Sequence, residues 1–101
     1  MPWIHVTMPP ATEDGSQVFT AIAERWSLSC AAKAAELLGL NASGVIVVVS
    51  RAEAMSSPGA LVTIRGRTRS ASEEAALAAL IQDEVAVLTG APHNNISLVR
   101  M

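Results

Sequence analysis

The sequence predicts an α+β fold built from one strand–helix–strand unit used twice, in the order β-α-β-β-α-β. Three observations lead there. Two long segments carry apolar residues at helical spacing. Four short segments are alternating or β-branched. Each helical segment stops at a glycine, Gly39 or Gly90, shortly before a strand resumes. Residues 1–101 are read as a single domain. With 50% apolar and 16% charged residues the chain is not a disordered one.

Residues 2–8 (PWIHVTM) alternate Ile4, Val6 and Met8 with Trp3, His5 and Thr7, the period of a half-exposed strand. Pro2 fits there because a residue that opens a strand need not donate to the ladder. A polar, Pro/Gly-bounded loop follows over 9–15. The first helix is expected from about Ser16 to Leu38, with Phe19, Ile22, Trp26, Cys30, Ala34, Leu37 and Leu38 as its apolar stripe. Residues 44–50 (GVIVVVS) are a continuous β-branched run, which predicts a strand buried on both faces. After a loop over 51–59, residues 60–65 (ALVTIR) form the third strand.

The second helix begins near Ser70. Ser70 and Glu73 have the spacing of a capping box, in which two orphan N–H groups are satisfied reciprocally. Leu77, Leu80, Ile81, Val85 and Leu88 form its stripe, and Gly90 and Pro92 end it. Residues 95–101 (NISLVRM) are the last strand. Each unit implies parallel strands joined by a right-handed crossover. A four-stranded sheet with two helices on one face leaves its other face bare, and an apolar bare face must be covered by a partner. That argues for a ring of subunits.

Composition narrows the function. A formal net charge of −2 speaks against nucleic-acid binding. There is no stretch of about 18 apolar residues and no basic region followed by an apolar run, so no membrane partner is expected and a cytoplasmic protein is. The single Cys30 excludes a disulfide framework and a Cys-based zinc site. His5 and His93 lack carboxylates at ligand spacing, so no metal is expected. Gly59, Gly66 and Gly90 match no phosphate-binding fingerprint, and no cofactor is expected. Cys30, inside the helical stripe, reads as a small buried hydrophobe. Lys33 reads as a solvated helix charge, and Trp3 and Trp26 as packing residues.

Two features carry chemistry. Removal of Met1 ahead of Pro2 would leave a secondary amine at the chain start. In an apolar pocket beside cations its pKa falls toward neutrality, the condition for a general base. The alternative is a proline that merely follows the initiator. The second feature is the run Arg65-Gly66-Arg67-Thr68-Arg69, with Arg51 in the preceding loop. In an extended segment alternate residues share a side, so the three would face one pocket and bind a carboxylate. The alternative is a solvated edge that discourages strand addition.

The start MPWIHVTM resembles that of the tautomerase superfamily, whose members open with Met-Pro, a short strand and a long helix. The doubled unit is similar to the longer members, such as the macrophage migration inhibitory factor group and malonate semialdehyde decarboxylase. The stretch ALVTIRGRTRSASEEAALAAL and the ending from Gly90-Ala91-Pro92 to Met101 are similar too. The resemblance implies a homotrimer with the helices outside, the sheets forming a central barrel, and a pocket around each N-terminal proline near subunit borders. By motif Pro2 matches the catalytic proline, and Arg67 and Arg69 match the R-x-R that holds a substrate carboxylate. Arg65 and Arg51 are further candidates. The chain departs from the family in having Leu40 where the inhibitory-factor group has a lysine. It also has no tyrosine, and no acid in the last strand. This favours simple proton transfer or decarboxylation over hydration. The expectation is a cofactor-free tautomerase, an isomerase acting on small 2-oxo or enol carboxylates. The alternatives are a decarboxylase or dehalogenase of the same superfamily, or a non-catalytic oligomeric binding module.

Overall fold

The computed structural model describes residues 2–9, 16–52, 59–90 and 95–101, with the side chains of all of these except 16–19. The order is β1 (Trp3–Met8), α1 (Ser16–Leu38), a 3-10 turn (Ala42–Gly44), β2 (Ile46–Arg51), β3 (Ala60–Arg65), α2 (Ala71–Thr89) and β4 (Ile96–Arg100). The expected loop residues 10–15 and 53–58, together with Pro92, His93 and the side chain of Phe19, lie outside the described residues.

The strands form one sheet in the order β2-β1-β3-β4. β1 and β2 are parallel, as are β3 and β4, which is what a strand–helix–strand unit demands. The two units meet at an antiparallel pair, β1 against β3. A half-turn about the centre of that pair therefore exchanges them. The stops also correspond: Gly39 and Gly90 both have φ +69°, the left-handed conformation that closes a helix. Gly59 just before β3 is constrained differently. Its φ is +112°, and a Cβ there would lie 2.0 Å from the Asn95 carbonyl oxygen, so no other residue fits.

The core lies between the sheet and the two helices. Ile4, Val6 and Met8 of β1 and Ala60, Val62 and Ile64 of β3 are buried against Trp26, Cys30 and Ala34 of α1 and Leu77, Ile81 and Val85 of α2. The buried indole of Trp26 is satisfied: its Nε1–H donates to the Glu84 carbonyl of α2 at 2.8 Å. This bond fixes how α1 is rotated against its neighbour.

Three expectations are corrected. The run 44–50 is not buried on both faces. β2 is an edge strand, with Val47 and Val49 packed on the core while Ile46 and Val48 are 44% and 36% exposed on the face that carries no helix. Ile22 and Leu37 are exposed, because the inward stripe of α1 runs through Ala23, Trp26, Cys30, Ala34, Ala35 and Leu38. The alanines let α1 lie close to the sheet, and the larger neighbours one position away turn outward. The cap of α2 is only half the expected box. Ser70 Oγ accepts the Glu73 N–H at 3.3 Å, but the Glu73 carboxylate accepts the Ser70 hydroxyl at 3.0 Å in place of its backbone N–H. The preceding N–H, that of Arg69, goes to Glu74 Oε1 at 3.1 Å.

The uncovered face of the sheet has three cross-strand rows. They are Ile46–Trp3–Arg65, Val48–His5–Thr63–Val99 and Ser50–Thr7–Leu61–Ser97. Trp3, Ile46, Val48, Leu61 and Val99 are exposed there.

Candidate active site

The pairing of β1 with β3 sets Trp3 opposite Arg65, so Pro2 lies beside the segment that leaves β3 at Gly66. Pro2 is buried, and its carbonyl accepts the Ile46 N–H at 3.0 Å. By strand alternation it belongs to the Ile4 side of the pleat, the side packed by helices. The same end of the sheet gathers the end of α1, the start of α2 and the close of β4. The Met101 N–H donates to the Ile64 carbonyl there, at 2.9 Å.

The expected arginines separate. Alternation through 65–69 required an extended segment, but β3 ends at Arg65 and Gly66 turns the chain with φ +145°. Arg65 stays on the uncovered face, its guanidinium over the Trp3 ring at 5.3 Å from the ring centre. Arg69 is drawn to the first turn of α2. Its side chain is only 10% exposed and its guanidinium nitrogen lies 3.9 Å from Glu73 Oε2. Arg67 is exposed, and its side chain makes no hydrogen bond or ion pair among the described residues. Arg51, half-buried, ends β2 opposite Met8, at the far end of β1 from Pro2. Five strand steps separate Met8 from Trp3, about 17 Å. Within one chain, then, Pro2, Arg67 and Arg69 share an end of the sheet, Arg65 lies across the pleat, and Arg51 is remote.

Sequence reasoning missed Arg100. Its guanidinium grips Glu74 with two nitrogens, Nε to Oε2 at 2.8 Å and a terminal nitrogen to Oε1 at 3.1 Å. The same group donates to the carbonyls of Ile64 at 3.3 Å, Gly66 at 3.2 Å and Arg67 at 2.8 Å. Arg100 thus ties the arginine segment to the N-terminus of α2 through backbone atoms. The hydrogen bond from Arg100, with that from the Arg69 backbone, holds the Glu74 carboxyl below the usual range. Glu74 in turn raises Arg100. Only the register of β4 on β3, Arg100 beside Ile64, brings these groups together.

No family model matches the chain, and no curated protein sequence matches it. Among solved structures, macrophage migration inhibitory factor from Giardia lamblia superposes over 99% of this chain and 97% of its own, with a TM-score of 0.77 at 12% identity. The chain has the tautomerase-superfamily fold. Pt0534 inactivated by 2-oxo-3-pentynoate is similar over 98% of this chain and 83% of that one, with a TM-score of 0.75 and 12% identity. A fused 4-OT solved as a symmetric trimer covers the same shares, with a TM-score of 0.71 and 18% identity. At such identities the likeness is one of fold.

Three further side chains of this fold, Cys30, Lys33 and His5, are buried or paired within the chain. Cys30 is fully buried, and burial, with Glu84 adding to it, pushes its thiol up to about 12. It is a packing residue, not a nucleophile. Lys33 is half exposed, and its Nζ pairs with Glu84 Oε1 at 2.7 Å, which raises its pKa. His5 Nε2 and Ser50 Oγ are hydrogen-bonded across β1 and β2 at 2.8 Å. Among the described residues no three His, Cys, Asp or Glu side chains are grouped to hold a metal. No described helix is long and apolar enough to cross a membrane.

Proposed function

We propose that the protein is a cofactor-independent tautomerase that moves a proton between carbon and oxygen of a small 2-oxo or enol carboxylate, working as a homotrimer. Pro2, freed of Met1, is the acid–base group. Its amine takes a proton from one position of the substrate and returns it to the other. Arg67, with Arg69 behind it, binds the carboxylate and stabilises the enolate charge that develops in transit. The observation that supports the reading is the register of β1 on β3, which brings a buried Pro2 to the end of the sheet where the segment carrying the exposed Arg67 leaves β3. Burial of residue 2 disfavours an ammonium and so favours the free amine, the form that acts as a base.

The likeness to Pt0534, inactivated by a 2-oxo acid, supports the substrate class, and the likeness to fused 4-OT supports the trimer. So do the apolar residues exposed on the uncovered face.

The test joins N-terminal mass spectrometry with the ketonisation of phenylenolpyruvate. The active protein should lack Met1. Pro2→Ala should slow the reaction by about 10²-fold or more, as expected for a displaced acid–base group. The bond from Ile46 to the residue 2 carbonyl survives that change, so fold and assembly should too. An active protein that retains Met1, or an equally active Pro2→Ala variant, would overturn the mechanism.

A further inference from the structure

We infer that the uncovered sheet face carries a small-anion site made by Arg65, Trp3, His5 and Thr63, and that the assembled protein holds an oxyanion there as a structural counter-ion, apart from the Pro2 pocket. The inference rests on the self-association proposed above.

The three rows of that face contain one permanent cation, Arg65, and no carboxylate. Among the described residues no acidic group lies within ion-pair distance of Arg65. Among the described residues its guanidinium meets the face of Trp3, which orients it without neutralising it. Beside it is a hollow of ≈ 70 Å³ lined by Trp3, His5, Thr63 and Arg65. A single water needs only about 10–15 Å³, so the hollow has room for an anion of a few heavy atoms. The lining is suited to one. The guanidinium offers a planar fork of donors, and Thr63, two residues along β3 and so on the same face, offers a hydroxyl. The hydrogen bond to Ser50 fixes the imidazole of His5 at the rim.

The need for an anion follows from covering the face. In a single chain Arg65 is exposed and hydrated. When the face turns inward, as its apolar residues require, the guanidinium loses that water. An unpaired buried charge is strongly unfavourable. In a ring every subunit brings the same face inside, so the three rows of each partner add a further cation and no acidic side chain. A small oxyanion bound by Arg65 removes both the unpaired charge and the repulsion between copies.

The experiment measures the self-association constant of the full chain by sedimentation in sodium phosphate, sulfate, formate and gluconate at equal ionic strength. Gluconate is too bulky for the hollow. At least one of the three small anions should tighten assembly by about tenfold or more over gluconate. Which one does so tells an inorganic anion from a carboxylate. Arg65→Met, which replaces the cation with an apolar chain of similar length, should abolish the dependence and assemble in gluconate at least as tightly as the parent. Equal assembly of the parent in all four salts, an unchanged anion dependence in Arg65→Met, or failure of Arg65→Met to assemble would each overturn the site. The last would show that Arg65 pairs with protein. A chain that stays monomeric in every salt would instead overturn the assembly, and this site with it.

Discussion

Replacing Arg67 with alanine separates substrate binding from stability. The Arg67 side chain is exposed and makes no hydrogen bond or ion pair among the described residues, so its loss removes nothing from the folded protomer. The segment that carries it is held by Arg100 through the carbonyls of Gly66 and Arg67, and these bonds are indifferent to the side chain at 67. Stability should therefore stay within about 0.5 kcal/mol, the usual range for a surface change. If Arg67 grips a carboxylate, the lost bond is charge-assisted and worth about 1.5–3 kcal/mol. That raises KM by about 10–100-fold. The assay follows ketonisation of an enol acid and of its methyl ester, with thermal melts alongside. The acid should lose the affinity and the ester should keep it. A silent Arg67→Ala, or equal losses with acid and ester, would refute the reasoning, because the guanidinium would then not be reading a carboxylate charge.

Two further outcomes follow from other parts of the fold. With its thiol near 12, Cys30 is ionised in roughly one molecule in ten thousand at pH 8. A thiol-reactive dye should label the native protein no faster than it unfolds and should count one thiol after denaturation, whereas prompt native labelling would contradict the burial. Glu74 lies below the usual carboxylate range when folded, so its pair with Arg100 contributes fully above the ordinary glutamate pKa of about 4.3 and fades as pH falls below it. Melting temperatures taken from pH 7 down to pH 3 should fall less steeply in Glu74→Gln than in the parent, and parallel profiles would count against the pair.

What the sequence showed depended on the range of the interaction. The strand at 3–8 was legible because alternation is local, and Ile4, Val6 and Met8 are the buried members as expected. The ends of both helices were legible because Gly39 and Gly90 do their work within one turn. The faces of β2 were not, since a β-branched run is equally consistent with two covered faces and with one covered face beside an uncovered apolar one. The choice is made by strand order, which the run does not encode. Ile22 and Leu37 were misplaced for a related reason. Alanine reads as neutral in a hydrophobic stripe, yet Ala23 and Ala35, with the expected Ala34, mark the line of closest approach. At the site, the pairing of β1 with β3 was legible from the repeat. The parting of Arg65 from Arg69 was not, because it hangs on the turn at Gly66. Arg100 was invisible because its role exists only once β4 is in register with β3.

The half-turn that exchanges the two units carries the start of β1, where Pro2 lies, onto the start of β3, where Gly59 lies. The two ends of the sheet are not chemically equivalent, however alike their backbones. An amine requires a chain start, whereas residue 59 is an internal amide at φ +112° with the Asn95 carbonyl against it, where even a methyl group has no room. The symmetry of the fold is therefore broken in its stoichiometry. Under the proposed mechanism each chain offers one catalytic amine where the architecture has two corresponding positions, and a reagent that acylates the Pro2 amine should silence the protein at one equivalent per chain.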